Sequence, residues 1–258
     1  MNRRRWGFTA ISTIAPVAIV AVWWLVSRTS TSLYFPPLSE ILKSLATFWL
    51  APAGLAQLGA SMSHLAVGLA GGIAVGVGGG IVLGVWRWGF DVVSPVLEFI
   101  RATPAIALVP IVLLILGIGP LTQIAMITAA TVWPILLNTI DGVRSLDTTT
   151  RDVMTSYRLK AGDRLFRIIL PGASPQIMVG INIAVTVALV MIIASELQGA
   201  TEGVGYTLMA QQRSYDMAGM WSTIVLLGML GFSLNLAFSA CERILLAWHR
   251  QMNSGKKG

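Results

Sequence analysis

Six long apolar runs dominate this chain and leave it few ways to fold. They are Phe8 to Val26, Leu65 to Val85, Pro104 to Ile118, Leu121 to Ile140, Gln176 to Leu197 and Ala218 to Ala240. A bilayer's hydrocarbon core takes about 20 helical residues to cross, and every backbone polar group inside it must be satisfied within the segment. The expected fold is therefore an all-α integral membrane protein of six transmembrane helices, forming one transmembrane domain over residues 1–258. Composition agrees: 55% of the 258 residues are hydrophobic and 11% charged, against about 25% charged in an ordinary soluble domain. Six spans and their connections use the whole length, so no room remains for a separate catalytic domain.

The first run follows MNRRRW, carries a Trp pair and ends in SRTSTS without a small-x-small cleavage site, so it reads as a retained anchor. The third is short. Glu98 and Arg101 precede it, three apart on an expected helix, where they can pair on one face as the run enters the membrane beside other protein.

The net charge of +7 raises nucleic acid as a partner, but the distribution of charge favours topology. With a cytoplasmic N-terminus, alternating connections place 15 of the 18 Lys and Arg inside and only Arg28, Lys43 and Arg213 outside, as the positive-inside rule requires. No nucleic acid is needed to explain the charge. A single Cys241 excludes an internal disulfide, and His64 and His249 lie far apart, so no metal site is assigned.

Shorter features fill out the architecture. In LSEILKSLATFWL, Leu38, Ile41, Leu42, Leu45 and Trp49 recur at helical spacing, which predicts a helix lying at the outer interface. In ERILLAWHR, Ile244, Leu245 and Trp248 can face lipid while Arg243 and Arg250 reach water. Glycines 68, 72, 76, 80 and 84 form a stripe of small residues through the second run, so Gly68, Gly72, Gly76, Gly80 and Gly84 predict close approach of a neighbouring backbone. Pro110 and Pro134 are expected to bend their helices by removing a backbone donor.

One compact basic segment interrupts this apolar chain: DTTTRDVMTSYRLKAGDRLFRIILPGASP, from Asp147 to Pro175. Its apolar residues, among them Val153, Met154, Tyr157, Leu165 and Ile168, predict two short amphipathic helices. Ala161 and Gly162 would make the turn between them, and LPGASP would stop the second before the next span. On pattern alone the segment is either a docking surface or an interfacial loop.

The segment resembles the cytoplasmic motif of bacterial ABC importer permeases: Glu-Ala-Ala, three residues, Gly, nine residues, Ile, any residue, Leu-Pro. Ile168, Leu170 and Pro171 match in place, whereas Asp152, Val153 and Met154 stand at the Glu-Ala-Ala positions and Arg158 at the Gly. YFPPLSEIL, IRATPAIALVPIVLLILGIG, NTIDGVRSLD, LPGASPQIMVGINIA and ASELQGATEGVGYTL carry the same resemblance, specifically to the nitrate, sulfonate and taurine type of permease, from about Tyr34 to Ala240.

The resemblance implies the transmembrane subunit of an ATP-driven importer in the bacterial inner membrane, with both termini cytoplasmic. Its implied partners are two copies of an ABC ATPase, a second permease subunit forming a homodimer, an extracytoplasmic solute-binding protein, and lipid. ATP and Mg would sit on the ATPase and no cofactor on this chain, which has no G-x-x-x-x-G-K-[ST] phosphate loop. A coupling helix over Asp152 to Gly162, including Tyr157 and Arg158, would enter a groove of the ATPase, while Arg164 and the stretch from Leu165 to Pro171 tie it to the fifth span.

A left-handed turn at a non-Gly residue costs roughly 1 to 3 kcal/mol, so Arg158 should stay helical and the turn move to Gly162. Arg158 then either meets an acidic groove of the ATPase or is solvated or held by lipid phosphate. Glu196 is either a gate residue, with Asn182 and Thr186 deeper along the translocation path, or a structural pairing with Arg213 or with the start of an outer helix in EGVGYTLMAQQ. The rival classes are a channel or secondary transporter working without ATP, and a membrane enzyme; neither a mid-membrane ionisable relay nor a catalytic constellation supports them. The implied solute is a small anion such as nitrate, a sulfonate or taurine.

Overall fold

The computed structural model describes residues 15, 17–147, 150, 154, 156–157 and 159–245. These form helices and no strand. They fall into two units: residues through Leu58 together with Thr207–Gly228, and Gly59–Tyr206 together with the residues from Met229 onward.

In the first unit, α1 runs over Val17–Ser27, and α2, Leu38–Ser44, continues into a π-helical turn at Leu45–Trp49. Pro37 breaks the chain ahead of α2, and the Ser27 hydroxyl accepts the hydrogen bond of the buried Leu38 N–H at 3.1 Å, filling a role usually taken by an adjacent cap. Of the expected apolar face of α2, Leu38, Ile41 and Trp49 are buried, but Leu42 is exposed. Trp221 holds the preceding loop, its indole N–H donating to the Tyr34 carbonyl at 2.9 Å and its ring lying 5.9 Å from that of Phe35.

The second unit holds most of α3, Pro52–Val85, then α4, Arg87–Ala102, a 3₁₀ turn at Ala105–Leu108, α5, Val109–Leu116, and α6, Pro120–Arg144. It continues with α7, Ala161–Gly199, the start of α8, Val204–Arg213, and the later part of α9, Met217–Leu245. Four helices, α3, α6, α7 and α9, are long and apolar enough to cross a membrane.

The third apolar run is not a straight span. Helix α4 and the stretch Ala105–Leu116 meet at an angle of 81°, because Pro104 excludes the helical region for the residue before it and Thr103 is extended at φ −78°, ψ 122°. Pro110 bends nothing: it stands in the first turn of α5, where its missing N–H has no partner to lose. Glu98 and Arg101 form no ion pair, although both border a small cavity beside Phe90 and Leu137.

The glycine stripe of α3 faces a ridge of β-branched residues on α6. A Cβ built on Gly68 would stand 2.7 Å from the Ile127 Cβ, one on Gly76 2.8 Å from the Ile135 Cβ, one on Gly80 2.5 Å from the Thr139 Cβ and one on Gly84 2.7 Å from the Val143 Cβ, with Thr131 opposite Gly72 in the same register. Each glycine thus accepts the stiff branch of one α6 side chain, and the Thr128 hydroxyl donates across the seam to the Gly68 carbonyl at 3.0 Å. Such close backbone packing replaces the hydrophobic driving force that helices lack in lipid. A further core joins α3, α5, α6 and α7 around Leu65, Val109, Met126, Ile127 and Ile192.

Helix α7 departs most from expectation. Neither a turn at Ala161 and Gly162 nor a stop at LPGASP exists: the helix starts after Lys160, passes through a π-helical turn at Leu165–Ile169, and runs on for 39 residues in all. Pro175 leaves the Pro171 carbonyl without its usual backbone donor, and the Ser174 hydroxyl donates to it instead at 2.8 Å, which lets the helix carry two prolines without ending.

Candidate functional site

The expected coupling residues divide by position. Asp152, Val153 and Arg158 lie outside the described residues. Met154 is buried and borders a cavity of about 380 Å³ with Gly84, Val143, Leu146, Arg164 and Ile169, so it plugs the segment into the ends of α3 and α6 and the start of α7. Tyr157 and Phe166 instead project outward, 76% and 68% exposed. Gly162 does not supply the expected left-handed turn; it lies in the first turn of α7, among the glycines without positive φ. Arg164 is exposed, and Asp163 and Arg167 form a solvent-facing pair at 3.1 Å of small energetic consequence.

Ile168, Leu170 and Pro171 are half-buried within α7, and Leu170 packs on Val143, Ala173 and Ile177. Gly142 and Gly180 deepen the same seam: a Cβ on Gly142 would meet the Ala173 carbonyl at 3.0 Å, and one on Gly180 the Pro134 carbonyl at 2.8 Å. Motif residues expected to anchor a separate coupling helix are thus the packed base of the long helix itself. Leu146 also presses against Gly172.

At the other end of α7, Glu196 is almost fully buried, 1% exposed. Its Oε1 accepts a hydrogen bond from the Ser61 hydroxyl at 2.7 Å and its Oε2 one from the Gly205 N–H at 2.7 Å. The Ser61 oxygen in turn accepts from the Val204 N–H at 2.8 Å. Two of the first N–H groups of α8, which have no partner within their helix, are thereby satisfied, and the carboxylate stands where a helix dipole favours negative charge. Gly203 enters this turn at φ +112°, and a Cβ there would overlap the Glu196 carboxyl group. His64 approaches Glu202 at 4.0 Å, and the Gln123 amide donates to the Gly199 carbonyl at 3.3 Å.

Glu196 therefore engages the start of α8. Asn182 and Thr186 are not part of this network: they lie about 21 and 15 Å back along α7 at 1.5 Å per residue. Asn182 is half-buried, and Thr186 is exposed in line with Val179, Ile183 and Val190. Ser61 was not among the residues picked out by sequence. The only local hint is its place one turn before His64 at the start of an apolar helix.

Comparison with known proteins fits this architecture. Residues 72–247 match the family model of the binding-protein-dependent transport system inner membrane component, so the chain belongs to that family of multi-pass inner-membrane transport permeases. It is 32% identical over 256 residues, 95% of this chain and 94% of the relative, to the putative aliphatic sulfonates transport permease protein SsuC of Escherichia coli strain K12. It is 27% identical over 94% of its length, and 90% of the relative's, to the taurine transport system permease protein TauC of the same organism. An inward-facing structure of the MetNI methionine ABC transporter superposes with a TM-score of 0.63 at 19% identity, over 72% of this chain and 92% of that one, which establishes the shared fold.

Proposed function

We propose that this chain is the permease subunit of an ATP-driven importer for a small sulfonate-type anion, and that the start of α7 is where a partner ATPase grips it. The observation that carries the solute class is the near full-length identity to an aliphatic sulfonate permease, with the taurine permease as a second relative. Two such permeases, as a homodimer, would enclose the path; two ATPase subunits holding ATP and magnesium would bind the cytoplasmic side, where both termini lie; and a solute-binding protein would deliver the anion from outside.

The mechanical reading rests on α7. An ATPase movement shifts the pore equilibrium only through contacts that differ between the two states. A helix of 39 residues is about 58 Å long at 1.5 Å per residue, so a displacement of the segment around Met154 and Tyr157 moves a rigid element that ends at the Glu196 cap. Exposed Tyr157 and Phe166 offer apolar area to a groove, and Arg158, by sequence, a charge. The test is uptake of labelled taurine and butane-1-sulfonate by cells expressing the permease with its ATPase and binding protein. ATP-dependent uptake of either supports the proposal; uptake that persists without an ATPase, or no uptake of any sulfonate, refutes it.

A further inference from the structure

The break between α4 and α5 leaves a cavity of about 750 Å³, within the usual range for small-molecule sites. Its walls come from both sides of the break and from Ala125 to Trp133 of α6, mostly in the first half of a helix spanning residues 120 to 144. Interrupted helices that place irregular backbone at mid-depth characteristically line a solute path, because lipid would leave that backbone unsatisfied. The walls are apolar, including Leu108, Met126, Trp133 and Val187, with two polar exceptions from the break itself, Arg101 and Thr103.

Arg101 is the cation in that lining. Its guanidinium makes no ion pair among the described residues, unlike His64 with Glu202 and Arg167 with Asp163. Arg101 is exposed, and a charge bordering apolar membrane helices is costly unless it faces water, a partner or a ligand.

We propose that Arg101, with Thr103 beside it, receives the anionic head group of the solute as it crosses the membrane, while the apolar walls take its short carbon chain. This deepens the sulfonate reading and rests on it. A sulfonate presents three acceptor oxygens in a geometry that a guanidinium fork meets with two parallel N–H bonds, which the ammonium of lysine does not reproduce. The chemistry matches on both parts: one cation for one permanent negative charge, and alkyl and aromatic walls for an aliphatic tail. Glu98, one turn earlier on α4 and bordering a second small cavity with Arg101, is the acidic group closest in sequence to the site.

The test uses the permease with its ATPase and binding protein in whole cells, with labelled butane-1-sulfonate as the probe. Arg101→Gln should lower uptake about tenfold or more, in keeping with loss of a charged hydrogen-bond pair, while Arg101→Lys, keeping the charge without the fork, should fall between. Co-purification of the ATPase checks assembly. Uptake by Arg101→Gln equal to wild type overturns the assignment and leaves the sulfonate reading standing; absence of uptake by the wild type overturns that reading and the assigned ligand with it. A readout independent of transport is the reaction of Arg101→Cys, in a Cys241→Ser background, with an anionic methanethiosulfonate. Reaction that is slowed by butane-1-sulfonate supports the site, and no reaction, or reaction indifferent to the sulfonate, contradicts it.

Discussion

Replacing Gly76 by alanine isolates the contact that holds α3 against α6. The added Cβ would lie 2.8 Å from the Ile135 Cβ, 2.9 Å from its Cγ2 and 3.1 Å from the Val132 carbonyl oxygen. Ordinary carbon contacts sit at about 3.5 to 4.0 Å, so the helices must part locally by about 1 Å. Ile135 is fully buried and β-branched, with one strongly preferred helical rotamer, so it has no easy way to turn aside. Overpacking of this kind costs about 1 to 3 kcal/mol. Gly78, two residues on, is the matched control: a Cβ there meets nothing within 4 Å, and Gly→Ala in an open helical position stabilises by roughly 0.5 to 1 kcal/mol. The two variants should therefore diverge by about 1.5 to 4 kcal/mol in opposite directions, measured as the midpoint of unfolding in a mixed-micelle SDS titration. Ile135→Ala should relieve Gly76→Ala when the two are combined, a coupling that a double-mutant cycle reads directly. Equal midpoints for Gly76→Ala and Gly78→Ala, or no relief in the double variant, would refute the reasoning.

Three other outcomes follow from the geometry. Ser61→Ala removes the hydroxyl that serves both Glu196 and the Val204 N–H, so stability in the same titration should fall by about 1 to 3 kcal/mol, the cost of leaving buried groups unsatisfied; Ser61→Thr, which keeps the hydroxyl, should recover part of the loss. Gly203→Ala meets both an unfavourable φ and the Glu196 carboxyl group, and should speed amide hydrogen exchange at Val204 and Gly205; unchanged protection would contradict the cap. Ser174→Ala strips the donor that replaces the missing N–H of Pro175, and should raise exchange around Pro171 to Ser174 by an amount corresponding to about 1 kcal/mol, without altering the Glu196 end of α7.

Legibility in sequence followed the range of the interactions. The glycine stripe was readable because its period is that of one helix face, although nothing local named α6 as its partner. Pro104 breaks a helix as its local chemistry dictates, and the third apolar run starts at it, but nothing local sets the 81° angle between the two helices. LPGASP misled for the opposite reason: its prolines signal a stop, but a serine hydroxyl and a π-helical turn absorb the lost donors, and neither repair carries a sequence signature. Pairing of Glu196 with the start of the helix in EGVGYTLMAQQ was one of the readings open in the sequence, but the network also depends on Ser61, 135 residues away, which no local pattern names. Arg101 was legible as a helix charge three residues from Glu98, but not as lining of the cavity that the bend opens against α6.

The central claim is that an ATPase grips the segment leading into α7 from the cytoplasmic side. The most direct measurement places a photoreactive amino acid at exposed Tyr157 in the assembled transporter, with irradiation in intact cells and in inside-out vesicles. The account predicts a cross-link to the ATPase subunit, and modification of a Tyr157→Cys variant by impermeant reagents only in the inside-out vesicles. Modification of that cysteine from outside intact cells, or a cross-link to the solute-binding protein instead, would contradict it.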